Sequence, residues 1–186
     1  MNKISNKYEI FDKNLNKEQK IKVWIKTLLN SYKYFPNLIK TVDKIIELRA
    51  STVSFSTDIF NSSKKQNQIE YIIDMGERKK SLINIYVMVT KFFKALPEDM
   101  KELAEKKFFD KCTNEDLAME MNISLRTVYR KISRIIDNIY DFCVQKKWSL
   151  EFIELQVCEE DWLIDNFCHY ANEFLYSSSN KKCKNC

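Results

Sequence analysis

The stretch that decides the fold is Thr113-Asn114-Glu115-Asp116-Leu117-Ala118-Met119-Glu120-Met121-Asn122-Ile123-Ser124-Leu125-Arg126-Thr127-Val128-Tyr129-Arg130-Lys131-Ile132-Ser133-Arg134. It holds two helix starts and one turn. Thr113 offers a hydroxyl to cap a first helix, and Asp116 stands three residues on, where a capping-box partner returns the bond. Leu117, Ala118 and Met121 form the inward face of that helix. Asn122 follows, a residue that tolerates the left-handed backbone of a tight inter-helix turn. Ser124 then caps a second helix, expected over residues 125–140. At 100° per residue, Leu125, Ile132, Ile135, Ile136 and Ile139 lie within about 80° of Val128. Arg126, Thr127, Arg130, Ser133 and Arg134 fall on the opposite side, with Lys131 at its edge.

This pattern predicts a helix-turn-helix with Leu117, Ala118, Met121, Val128 and Ile132 as its core. Three of the chain's five arginines sit on the second helix, four residues apart. A guanidinium is a planar fork matched to guanine edges and phosphates, and the N-terminal half of such a helix is what enters the major groove. Double-stranded DNA is therefore the expected partner, with Ser124, Arg126, Thr127, Arg130, Lys131 and Arg134 as expected contacts. A basic helix face by itself is usually only a solvated face. The coincidence of two caps, a turn residue and the core spacing is what raises this one above that reading.

Working outward, Leu96-Pro97-Glu98-Asp99 opens a preceding helix, since proline and acids both suit a helix start. Residues 95–142 thus form the expected DNA-binding unit. Upstream, residues 17–94 predict a helical hairpin for oligomerisation or partner contact, preceded by a loose polar arm at 1–16. Pro36 is expected to interrupt its helices, residues 61–68 to form a polar connection, and the Gly-containing segment 74–81 to bend. Downstream, residues 150–176 hold seven acids and no Lys or Arg, interleaved with aromatics. An acidic and aromatic helical extension is expected over 143–176, packed on the rest or offered to a partner such as RNA polymerase, with a flexible Cys-containing tail at 177–186.

Composition sets the frame. Hydrophobic residues make up 45% of the 186, enough for a core, while Gly occurs once and Pro twice, which disfavours tight β-turns and Gly-rich phosphate loops. An all-α fold follows. Net charge is +5, divided into +9 over residues 1–94 and −4 over 150–186, an asymmetry that suggests parts facing different partners. No apolar run approaches a membrane span or a secretory leader, so a cytoplasmic protein with reduced thiols and no membrane partner is expected. Cys183 and Cys186 have ligand spacing for a metal, with Cys158, Cys168 and His169 upstream, but the second Cys-x-x-Cys pair is missing and free thiols are the expected state. His169, the single histidine, is expected to be partly buried. No nucleophile-and-base arrangement is present, so neither enzymatic activity nor a cofactor is expected.

The segments Leu96-Pro97, Leu103-Ala104-Glu105-Lys106-Lys107-Phe108, Thr113–Ala118 and Met121–Arg130 resemble the promoter-reading region 4 of bacterial sigma factors, with Asn122 where a turn glycine is usual. Residues 45–49, 51–61 and 67–78 resemble the hairpin of ArpU/RinA-type phage transcription regulators, which join such a hairpin to a sigma-like helix-turn-helix. The resemblance spans residues 38–140. It implies an activator of phage or mobile-element genes. Separately, the apolar helix faces of the hairpin leave two outcomes open: pairing as a homodimer, or closure on each other. Three other readings stand beside it: from the same physics, a sigma-like specificity factor for RNA polymerase; from another class, the DNA-recognition subunit of a phage packaging machine; and a protein-contact scaffold that would show no salt-sensitive DNA binding.

Overall fold

The computed structural model describes residues 14–55 and 62–182, and every regular element among them is helical. Helix α1, Lys17–Ser31, opens on a complete capping box. Gln19 N donates to Asn16 Oδ1 at 2.9 Å, and Asn16 N donates to Gln19 Oε1 at 3.0 Å. A 3₁₀ turn, Tyr32–Tyr34, leads into α2, Phe35–Phe55. Pro36 falls in the first turn of α2, where a backbone N–H needs no partner, so it opens one helix as it closes another. Helix α3 is Ser62–Ala95. The polar residues from 62 onward, expected as a connection, belong to its first turns, and the helix runs unbroken through 74–81, where a bend was expected. Then come α4, Glu98–Ala104, extended by a π turn at Glu105–Phe109, and α5, Asn114–Glu120. Last are α6, Leu125–Gln145, α7, Leu150–Val157, and α8, Asp161–Lys182.

Helices α2 and α3 pack as the antiparallel hairpin anticipated. Lys79 pairs with Asp43, and the Arg49 guanidinium lies 5.3 Å from the Tyr71 ring centroid. Helix α1 takes a different place. It packs on α6, α7 and α8 with Trp24, Ile25, Leu28 and Leu29 wholly enclosed. Trp24 stacks on Phe167 of α8 with ring centroids 4.4 Å apart. One buried cluster runs from Leu15 through the helix-turn-helix to Ala171, so segments that composition separates share a single core.

The acidic extension closes that core. Leu163, Phe167 and Ala171 are buried, and its carboxylates meet the basic front half of the chain. Glu151 pairs with Lys17 at 2.8 Å, and Glu173 with Lys26 at 2.7 Å. Glu160, fully buried, receives Arg78 Nε at 2.7 Å, Arg78 NH2 at 3.0 Å and Trp162 Nε1 at 2.7 Å. The opposite net charges of the two ends, expected to face different partners, here face each other. Bonding to the Glu160 carboxylate holds the Arg78 guanidinium above its ordinary pKa.

The π turn has a packing reason. The Asp110 N–H reaches back to Glu105 O at 3.1 Å, one residue further than in an α-helix. The wider turn lets consecutive side chains point inward. Phe108 is enclosed, and Phe109 joins an aromatic cluster 4.6 Å from Tyr32 and 4.3 Å from Phe93.

Candidate nucleic-acid interface

Helix α5 begins as its sequence dictates. Asp116 N donates to Thr113 Oγ1 at 3.0 Å, while Thr113 N and Oγ1 donate to Asp116 Oδ2 at 3.2 and 2.6 Å. Those bonds hold the Asp116 carboxyl below the ordinary carboxylate range. Its far end closes with Asn122 at φ 49°. Ile123 N reaches Ala118 O at 3.0 Å and Asn122 N reaches Met119 O at 3.2 Å, the two bonds of a Schellman end. Ser124 then caps α6, accepting from Thr127 N at 3.2 Å.

Leu117 and Val128 are enclosed, and Ala118, Met121 and Ile132 pack half-buried against the cluster. Lys106 ties the unit together, bridging Glu102 at 2.9 Å and Glu120 at 2.6 Å, and both bonds raise its pKa. Asn138 of α6 donates to the Met100 sulfur of α4 at 3.1 Å. Further along α6, Ile135, Ile139 and Cys143 enter the common core, and burial pushes the Cys143 thiol up to about 12. The rear of the helix is thereby fixed, and its front is left standing outward.

Arg126, Arg130 and Arg134 are all exposed on that front, and no carboxylate partner for them is found among the described residues. Lys131 is half-buried at the edge. On the same side further along come Asp137, paired with Lys22 at 2.8 Å, and Asp141. Helix α6 is thus polarised, with cations on its first turns and acids behind. Ser124 and Thr127, also expected as contacts, lie at the cap with their hydroxyls 2.8 Å apart.

Ser133, placed with the arginines by periodicity, lines an open groove between α1, α6 and α8. Tyr129 lines the same groove and is exposed, as are Leu125, expected to face inward, and Met119. Sequence periodicity gave no sign of these exposed apolar side chains because it cannot see where α1 and α8 stop covering the motif. Two nearby lysines are spent on helix ends: Lys107 Nζ donates to Cys112 O at 3.2 Å and Lys111 Nζ to Asn30 O at 2.6 Å. Burial holds both below the ordinary lysine range.

The remaining candidate groups do not converge. His169 is exposed beside Glu173, 3.4 Å away, and not partly buried as expected, because α8 turns that side to solvent. Cys158 is exposed and Cys168 buried. Cys183 and Cys186 lie outside the described residues. No helix among the described residues is long and apolar enough to cross a membrane. No protein-family model, curated protein or solved structure matches the chain.

Proposed function

We propose that the chain is a sequence-specific DNA-binding transcription regulator, an activator of the phage or mobile-element type, that docks the first turns of α6 in the major groove. One observation carries this reading: Arg126, Arg130 and Arg134 stand exposed on one line of a helix whose opposite face is locked into the core. The helix backbone is already ordered before binding, and unpaired guanidinium groups offer the bidentate geometry that guanine edges and phosphates accept. The acids that follow on α6 repel phosphate and limit the footprint to the N-terminal half. The Thr113 and Ser124 caps fix where α5 and α6 begin. RNA polymerase is the partner that activation would require.

The test is a binding selection from fragmented DNA, repeated with Arg126, Arg130 and Arg134 changed to Ala. Enrichment of a few sites is expected, lost in the triple variant and steeply salt-dependent. A single Arg130→Ala change should cost on the order of 1–3 kcal/mol at the selected site. Equal, sequence-independent binding by both proteins would sink the proposal.

A further inference from the structure

Helix α3 carries a second surface, on the side away from the core. Leu82, Ile85, Val89 and Phe92 face inward and are enclosed. On the outer side, Ile69, Ile73, Ile83 and Val87 are exposed to 49%, 59%, 38% and 42%. With Gly76 and Lys80 they recur at alternating steps of four and three residues, so all six lie within about 40° of one line along the helix. That alternation is the spacing of a helix-to-helix seam. Four branched aliphatics on the wet side of one helix are also costly to leave in water.

The chain's single glycine sits in this seam. A glycine in a helix interior is unfavourable, and nothing within 4 Å would meet a Cβ at Gly76, so packing inside the protomer does not require it. Close approach by another chain would. The seam is also symmetric about Arg78. In an antiparallel pair centred there, Ile69 meets Val87 of the second copy, Ile73 meets Ile83, and Gly76 meets Lys80. The Lys80 stem then lies across the open surface of Gly76. Its ammonium, already 3.3 Å from Glu77, sits on the side where the two Glu77 carboxylates approach each other. A parallel pair would instead oppose Lys80 to Lys80 and leave a gap at Gly76.

We propose that this outer face of α3 is a two-fold homodimer interface, in which two copies pair antiparallel about Arg78. Each residue then meets its symmetry mate's complement, as an isologous contact requires. This inference is independent of the DNA reading and stands or falls on its own test.

The test is sedimentation equilibrium on the full chain and two variants, with circular dichroism as the folding control. The native chain should be a dimer at micromolar concentration. Ile73→Glu, at an exposed position, should stay folded and become monomeric. Ile73→Lys combined with Ile83→Glu should restore the dimer, because the antiparallel register places each lysine opposite a glutamate of the second copy. In a parallel register the same double variant would oppose like charges and remain a monomer. A monomeric native chain would overturn the proposal and assign the seam to a different protein, and a folded double variant that stays monomeric would overturn the register.

Discussion

Among the described residues, three that are not glycine take the left-handed backbone: Lys111, Asn122 and Lys147. Each ends a helix, and Lys147 shows the geometry plainly, with Trp148 N bonded to Cys143 O at 2.9 Å and Lys147 N to Val144 O at 3.0 Å. A side chain there crowds its own carbonyl, and glycine removes the crowding at some cost in unfolded-state entropy. Lys147→Gly should therefore stabilise the protein by about 0.5–1 kcal/mol, measured as a shifted denaturant midpoint. A loss of stability would mean that the lysine makes a contact that outweighs the strain. The Arg78–Glu160 fork makes the opposite kind of prediction. Removing Arg78 strands a fully buried carboxylate, so Arg78→Ala should cost about 3–5 kcal/mol. Arg78→Met with Glu160→Leu, which removes both charges, should recover most of that. Equal losses in the single and double variants would show that the cost is packing and not charge.

At the scale of the element, α5 is too short to persist alone and depends on its ends. The Thr113–Asp116 box supplies one of them. Because the Asp116 pKa is depressed in the folded state, its contribution is complete above the ordinary aspartate pKa near 3.8 and fades as pH falls through the lower folded value. Denaturation of the native chain and of Asp116→Asn should differ at neutral pH, and the gap should narrow on acidification below about pH 4. A gap that does not change with pH would assign the effect to shape and not to charge. Helix α6 shows how one element divides its labour. Its rear residues, Ile135, Ile139 and Cys143, anchor it, so its forward arginines project from a fixed base.

Among the described residues, α1 packs on α6, α7 and α8 within one buried cluster that reaches from Leu15 to Ala171. Leu117, Val128, Ile135 and Ile139 of the helix-turn-helix belong to the same buried cluster as Trp24 and Phe167, so the motif shares its core with α1 and α8. A chain shortened to residues 1–146 should lose its cooperative thermal transition and bind a hydrophobic dye, whereas the full chain should unfold in one step. Retention of a sharp transition by the shortened chain would show that the extension is dispensable.

Much of the local structure is legible in the sequence by itself. The helix-turn-helix was readable because its signals are short-range: a hydroxyl before a helix, an acid three residues on, an asparagine at a turn, and a period near 3.6 that separates Val128 and Ile135 from Arg126 and Arg130. The all-helical class follows from the same periodicity and from a single glycine. Only the tertiary structure could decide the rest, because it depends on residues far apart in the chain. Arg78 and Glu160 are 82 positions apart, and no local rule pairs them. Periodicity marks an apolar face without saying what covers it. Packing decided that Leu125 stays exposed, that Ser133 turns into a groove, and that the outer side of α3 is left uncovered. Likewise, charge counting registered a basic front and an acidic rear, and only the fold showed that they neutralise each other across the core's edge.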